Sequence, residues 1–228
     1  FSNSLTSIMA VRCVVFDIGG VLGADVFPDV FDRIKGKYPE NRREHISATH
    51  SRNKDLWNKL KTTPGYSVSQ YWDDIRGREP ELKESTETLE KELGNVLVPF
   101  SHTWDVAKTL KKNGYTIGIC SNHATTWFDT FVATQKSTLD VFSIIPKDLC
   151  IISQAAGCAK PSHDIYEAVM TALRKNCTDL KKSEVAFVDN KQSNVDAALK
   201  FGWKAVCWYA AKEDKEALFA KLAKHNVK

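Results

Sequence analysis

The chain has 228 residues, 43% of them hydrophobic and 26% charged, with a net charge of +4. That is enough for one soluble globular domain with a sizeable core, or for a core plus a small insertion. The charge is mild and forms no concentrated basic stripe, which argues against a nucleic-acid binder, and no apolar run approaches the ~20 residues that span a bilayer.

The opening "FSNSLTSIMAVRC" has neither the charged start nor the long apolar centre of a secretory signal. Met9-Ala10, directly before the first strand-like run, reads as the natural start, with residues 1–8 either a non-native remnant or a short disordered extension. "VRCVVFD" (11–17) is a short apolar run ending in Asp17, and Gly19-Gly20 follows it: a buried-strand signal. Residues 23–98 then hold "FPDVFDRIKGKY", "NRREHISATHSRNKDLWNKLK", "SVSQYWDDIRGR" and "ELKESTETLEKELGNVL", which read as several helices. The segment is too long for a loop and is expected to be a helical cap. "HTWDVAKTLKKNG" is an amphipathic helix stopped by Gly114. The strand signal recurs in "YTIGICSN" (115–122), "LCIIS" (149–153), "EVAFVD" (184–189) and "KAVCWY" (204–209). Between them lie "SHDIYEAVMTALRK", with Ser162 as N-cap, and "NVDAALKFG", closed by Gly202. The lysines of "KEDKEALFAKLAKHNVK" alternate with acids and apolar residues, as on the wet face of a terminal helix.

Strands alternating with helices predict an α/β fold, a Rossmann-like doubly wound parallel sheet with the helical cap inserted after the first strand. The core domain is expected to be 9–22 plus 99–228, and the cap 23–98. Ligands of such sheets bind at the C-terminal strand ends, so Asp17, Ser121-Asn122 and Asp189-Asn190 are expected to converge on one crevice. Cys13, Cys120, Cys150, Cys158, Cys177 and Cys207 contain no Cys-x-x-Cys pair and favour strand-like runs. They read as reduced thiols of a cytoplasmic protein, not as zinc ligands or a disulfide framework.

Four motifs in order carry a resemblance: "FDIGGVL", "GICSN", "GCAKPSHDIYEAV" and "FVDNKQSNVDAALKFGW". Together they resemble the haloacid dehalogenase superfamily from residue 11 to about 210. The helical insert is similar to that of members with a small helical cap, such as the phosphatase domain of soluble epoxide hydrolases and sugar-phosphate phosphatases. The resemblance implies a Mg2+-dependent phosphatase of a small phosphorylated metabolite, as monomer or homodimer, with no nucleic-acid or membrane partner. Asp17 is then the nucleophile that forms an aspartyl-phosphate. Ser121 and Asn122 bind phosphoryl oxygens, and Lys160 neutralises charge between nucleophile and phosphate. Mg2+ falls to Asp17, the carbonyl of Gly19, and Asp189 or Asn190.

Two positions depart from the family pattern. Relatives usually carry a second aspartate two residues after the nucleophile, which protonates the leaving oxygen and then activates water; Gly19 stands there. Asn190 replaces the usual metal carboxylate with an uncharged amide. Asp25, His45 and His50 are, by residue type alone, candidates to replace the missing acid. Arg42, Arg43 and Arg52 could bind anions, and Trp57, Tyr71 and Trp72 could line a pocket, although surface arginines and core aromatics are the commoner explanation. Two other functions stay open: a 2-haloacid dehalogenase, and a catalytically impaired protein kept for binding or regulation.

Overall fold

A computed structural model describes residues 10–27 and 29–228; the expected start at Met9 and the extension before it lie outside the described residues. Five strands form one parallel sheet: Cys13–Phe16 (β1), Thr116–Ser121 (β2), Cys150–Ile152 (β3), Val185–Asp189 (β4) and Lys204–Cys207 (β5). Their order is β3-β2-β1-β4-β5, so β1 is central. Each of its residues, Cys13 to Phe16, is fully buried, which explains why the sequence there is continuously apolar rather than alternating. Register does the rest. Phe16 lies opposite Ile119 of β2 and Val188 of β4. One residue further, the Asp17 amide donates to Val188 O at 2.9 Å. Asp17, Ser121 and Asp189 therefore end at one edge of the sheet.

Helices flank this sheet, as α/β topology requires. The segment after β1 contributes Asp29–Ile34 (α1), Glu40–Ser47 (α2), Thr49–Arg52 (α3), Lys54–Thr62 (α4), Val68–Arg78 (α5) and Thr86–Val96 (α6). After it come Ser101–Lys112 (α7), Thr125–Gln135 (α8), Val141–Ile144 (α9), Ser153–Ala156 (α10), His163–Asn176 (α11), Gln192–Phe201 (α12) and Lys215–Ala223 (α13). Local signals set several ends. Ser162 accepts from the Asp164 amide at the start of α11. Gly202, at φ 102°, closes α12 in the left-handed conformation that glycine adopts cheaply.

The chain leaves and rejoins the sheet through paired backbone. The Ala24 amide donates to Val98 O, and the Phe100 amide to Leu22 O, both at 2.9 Å. Aromatic packing then seats the helical segment on the sheet-flanking layer. Trp57 of α4 stacks on Trp127 of α8 with centroids 5.7 Å apart. Glu90 of α6 accepts from the indole N–H of Trp127 and from that of Trp72 of α5. Tyr71 and Trp72 are fully buried here as core rather than pocket lining.

A second buried carboxylate organises the helical segment itself. Glu79 accepts the Arg52 fork at 2.9 and 2.8 Å, the Asn53 amide at 2.8 Å and His45 Nε2 at 3.0 Å. Burial pushes the Glu79 carboxyl up, but Arg52, Asn53 and His45 together hold it below the ordinary carboxylate value. A native value below the unfolded one stabilises at pH values above the unfolded pKa, and that contribution disappears as pH falls through the native value. Glu79→Gln is expected to lose about 1–3 kcal/mol at neutral pH. Urea midpoints at pH 7 and pH 3 check the rest: the wild type should lose more stability on acidification than the variant.

Candidate active site

The site is built around Lys160. Its Nζ lies 2.8 Å from Asp17 Oδ2 and 2.7 Å from Asp189 Oδ2, and its side chain is fully buried. Lys160 belongs to neither strand; it sits in the loop between α10 and α11. Asn122, at the tip of β2, holds that loop with both ends of its amide. Nδ2 donates to Lys160 O at 2.9 Å, and Oδ1 accepts from the Lys160 amide at 2.8 Å. The Asn122 side-chain amide thus positions the lysine.

Three ionisable groups out of water share one positive charge. Burial pushes the Asp17 carboxyl up, yet Lys160, Lys191 and the Ser121 hydroxyl outweigh it and hold the group below the ordinary carboxylate value. Burial also pulls the Lys160 ammonium down, and the two carboxylates more than reverse that, raising it above an ordinary lysine. Asp189 is pushed up to about 6 by burial, against the pull of Lys160. Two carboxylates around one ammonium leave the cluster one negative charge in excess when all three ionise, and Asp17 keeps its charge.

Asp189 is expected from the sequence to be a metal ligand, but its oxygens are taken. Besides Lys160, Oδ1 accepts from the Lys191 amide at 2.8 Å, and Asn194 Nδ2 reaches both oxygens at 3.1 and 3.0 Å. The Asp189 side chain is fully buried behind the site. Asn190 is different. Its Oδ1 is buried and unpartnered, while its Nδ2 donates to Asp25 Oδ2 at 3.3 Å. Gly20 makes room for that amide: a Cβ there would fall 2.1 Å from Asn190 Nδ2, and φ is 74°. Gly20 is therefore required for the close approach of the residue that follows β4.

A cavity of about 110 Å3 opens over Asp17. Gly19, Asp25, Ser121 and Asn122 line it from the strand tips, and His50, Trp57 and Lys61 from the helical segment. Lys61 and Lys191 face it beside the Asp17 and Asp25 carboxylates; burial, Lys191 and Lys160 depress the Lys61 ammonium, and burial together with Lys54, Lys191 and Lys61 pushes His50 down to about 4. His50 stacks on Phe27 at 4.2 Å and keeps a buried, unpartnered Nδ1. Burial is the larger cause of both shifts, and the neighbouring lysines add to it.

The arginines lie elsewhere. Arg42 pairs with Glu81 at 2.9 Å, and Arg43 Nε donates to Tyr38 O at 3.2 Å, both on the outer surface of α2 and outside the cavity. Arg52 and His45 serve Glu79 instead. The cations that do line the cavity, Lys61 and Lys191, were not singled out in the sequence, nor were His123 and Phe27. Lys191 and His123 directly follow the strand-end pairs Asp189-Asn190 and Ser121-Asn122, a signal that could have found them. Phe27 and Lys61 carry no such signal; only the packing of α4 places Lys61 there.

The family model for haloacid dehalogenase-like hydrolases matches residues 11–202. No curated protein matches the chain significantly. Among solved structures, a haloacid dehalogenase-family enzyme of Bacteroides thetaiotaomicron, in complex with magnesium and inorganic phosphate, is 18% identical with a TM-score of 0.69. That match covers 92% of this chain and 100% of the other. A haloacid dehalogenase-like hydrolase of Porphyromonas gingivalis is 17% identical with a TM-score of 0.69, covering 95% and 99%. An L-2-haloacid dehalogenase of Xanthobacter autotrophicus with chloropropionic acid covalently bound is 23% identical with a TM-score of 0.59, covering 96% and 84%. At these identities the likeness is one of fold.

Removing the ammonium would leave two carboxylates buried without a counter-charge. Lys160→Met is expected to cost about 3–5 kcal/mol, read as a lowered denaturant midpoint at pH 7. A loss below 1 kcal/mol would show that Lys160 does not neutralise the pair.

Proposed function

The chain belongs to the haloacid dehalogenase-like hydrolases, and on that premise we propose that it is a Mg2+-dependent phosphatase of a small phosphorylated metabolite. The observation that carries this reading is a carboxylate kept ionised by Lys160 at the floor of a cavity rimmed by Lys61 and Lys191. A nucleophile with that charge meets a phosphoryl group only where cations offset the repulsion. Asp17 attacks phosphorus and the ester P–O bond breaks, leaving an aspartyl-phosphate that water then cleaves. Ser121, at the tip of β2 beside Asp17, donates to a phosphoryl oxygen. Lys160 balances the charge that builds between nucleophile and phosphate.

Metal binding can be judged from the oxygen donors present. Among the described residues no cluster of three His, Cys, Asp or Glu side chains could hold a metal ion. The donors are instead Asp17, the Gly19 carbonyl and the orphaned Asn190 Oδ1. An oxygen set with one carboxylate suits a hard cation that keeps several waters, as Mg2+ does, and it fits weak binding. When bound, Mg2+ would supply positive charge to the phosphoryl oxygens. The helical segment 29–96, with Trp57, His50 and Lys61 over the cavity, acts as the cap that selects the organic part of the substrate. The Asp189 carboxylate holds Lys160.

Phosphate release from a panel of sugar and nucleotide phosphates tests the reading. Release is expected to require Mg2+ and to fall at least about a thousandfold in Asp17→Asn. Halide release from 2-haloacids without metal would identify a dehalogenase instead. The absence of both activities would identify a binding protein.

A further inference from the structure

The family's missing acid has left a measurable space, and another carboxylate fills it. Gly19 stands where relatives usually carry the aspartate that serves as proton donor and acceptor. A Cβ built on Gly19 falls 2.5 Å from Asp25 Oδ1 and 3.5 Å from Asp25 Cγ. In an aspartate, the carboxylate oxygens lie roughly 2.4 Å from their own Cβ by ordinary bond lengths and angles. Asp25 Oδ1 is therefore as far from the position-19 Cβ as the oxygen of an aspartate at 19 would be. The Asp25 carboxylate therefore ends within an aspartate side chain's reach of position 19, although its backbone is six residues further along the chain.

Asp25 is held there. Immediately before it, Gly23 bridges to Gly19 and to Pro99, and the Ala24 amide donates to Val98 O at 2.9 Å. On its far side Oδ2 accepts from Asn190 Nδ2 at 3.3 Å. No side-chain hydrogen bond fixes Oδ1, and Asp25 lines the cavity that Asp17 and Ser121 also line. His45, the second acid suggested by residue type, is bound to Glu79. His50 reaches the cavity, but from the helical segment and stacked on Phe27.

We propose that Asp25 replaces the absent position-19 acid as the proton donor and acceptor of the reaction. The assignment rests on the phosphatase reading above. In the first step an Asp17 oxygen bonds to phosphorus, the ester P–O bond breaks with its electron pair on the leaving oxygen, and the Asp25 carboxylic acid gives that oxygen a proton. In the second step Asp25, now a carboxylate, takes a proton from a water as its oxygen bonds to phosphorus. The bond from phosphorus to Asp17 then breaks, which returns Asp17 as carboxylate, Asp25 as acid and inorganic phosphate as product.

Leaving-group chemistry separates this from a structural role. p-Nitrophenolate leaves without protonation, whereas the alkoxide of glycerol phosphate does not. Rapid-quench single turnover with Mg2+ measures transfer to Asp17 from each ester. Asp25→Asn is expected to slow transfer from glycerol phosphate by about 10²- to 10⁴-fold and transfer from p-nitrophenyl phosphate by no more than a few fold. Equal slowing of both esters, or no slowing of either, overturns the assignment while leaving the phosphatase reading intact. No phosphoenzyme from either ester in the wild type overturns both. A second measurement needs no turnover. Gly19→Asp alone is expected to lower the urea midpoint because the new Cβ meets Asp25, and the pair Gly19→Asp with Asp25→Gly is expected to restore it. An equal loss in both backgrounds shows that Asp25 does not occupy that space. Where the pair is folded, recovery of the glycerol phosphate rate above Asp25→Asn supports the relocation of one acid, and its failure to recover overturns it.

Discussion

The buried ammonium of Lys160 is the interaction on which the rest depends. It touches two carboxylates from two different strands while fully removed from water. An isolated ion in that position would be prohibitively costly, and two anions side by side without a cation still more so. The cluster therefore exists only when three separate segments are correctly assembled: the tip of β1, the tip of β4 and the loop between α10 and α11. Asn122 adds the tip of β2 by gripping the lysine's own backbone. Folding and site assembly are coupled here, because the same ammonium that keeps Asp17 ionised is what allows it to be buried.

Around that cluster, buried polar groups divide into two kinds. Some are saturated, as Asp189 is by Lys160, Asn194 and the Lys191 amide. Glu79 is saturated by Arg52, Asn53 and His45. These hold structure and have no capacity left for a ligand. Others stand open: His50 Nδ1, on the cavity lining, and Asn190 Oδ1, on the amide that holds Asp25, are buried with no partner. Since buried polar atoms are almost always paired, unpaired ones next to a cavity are where a ligand would bind. By this contrast the Asp189 oxygens are taken by protein groups, while Asn190 keeps an oxygen without a partner. The same contrast separates Arg52, an anion-binding side chain by type, from any anion.

The helical segment shows how little charge type reveals about position. Arg42 and Arg43 look as suited to an anion as Lys61 does, yet only Lys61 faces the cavity. The difference lies in which helix carries them. The stacking of Trp57 on Trp127 seats α4 against α8 with Lys61 on the cavity, while the α2 arginines lie outside it. Aromatic residues at helical spacing show that such helices pack, and leave open against what.

The five strands, their alternation with helices, the helical insertion, the caps at Ser162 and Gly202, and the family were all legible in the sequence. Each is encoded over short range, by apolar runs, turn residues and motif spacing. The convergence of Asp17, Ser121, Asn122 and Asp189 was legible for a further reason: parallel strands deliver their C-terminal ends to one edge whatever lies between them, whereas Lys160, in a loop, was legible only through its motif. The direction each polar atom faces was not legible. Whether an amide holds a lysine's backbone, whether a carboxylate is saturated, and whether Asp25 fills the space beside Gly19 depend on ångström-scale contacts between residues far apart in the chain. No sequence spacing encodes such contacts, so only the tertiary structure could decide them.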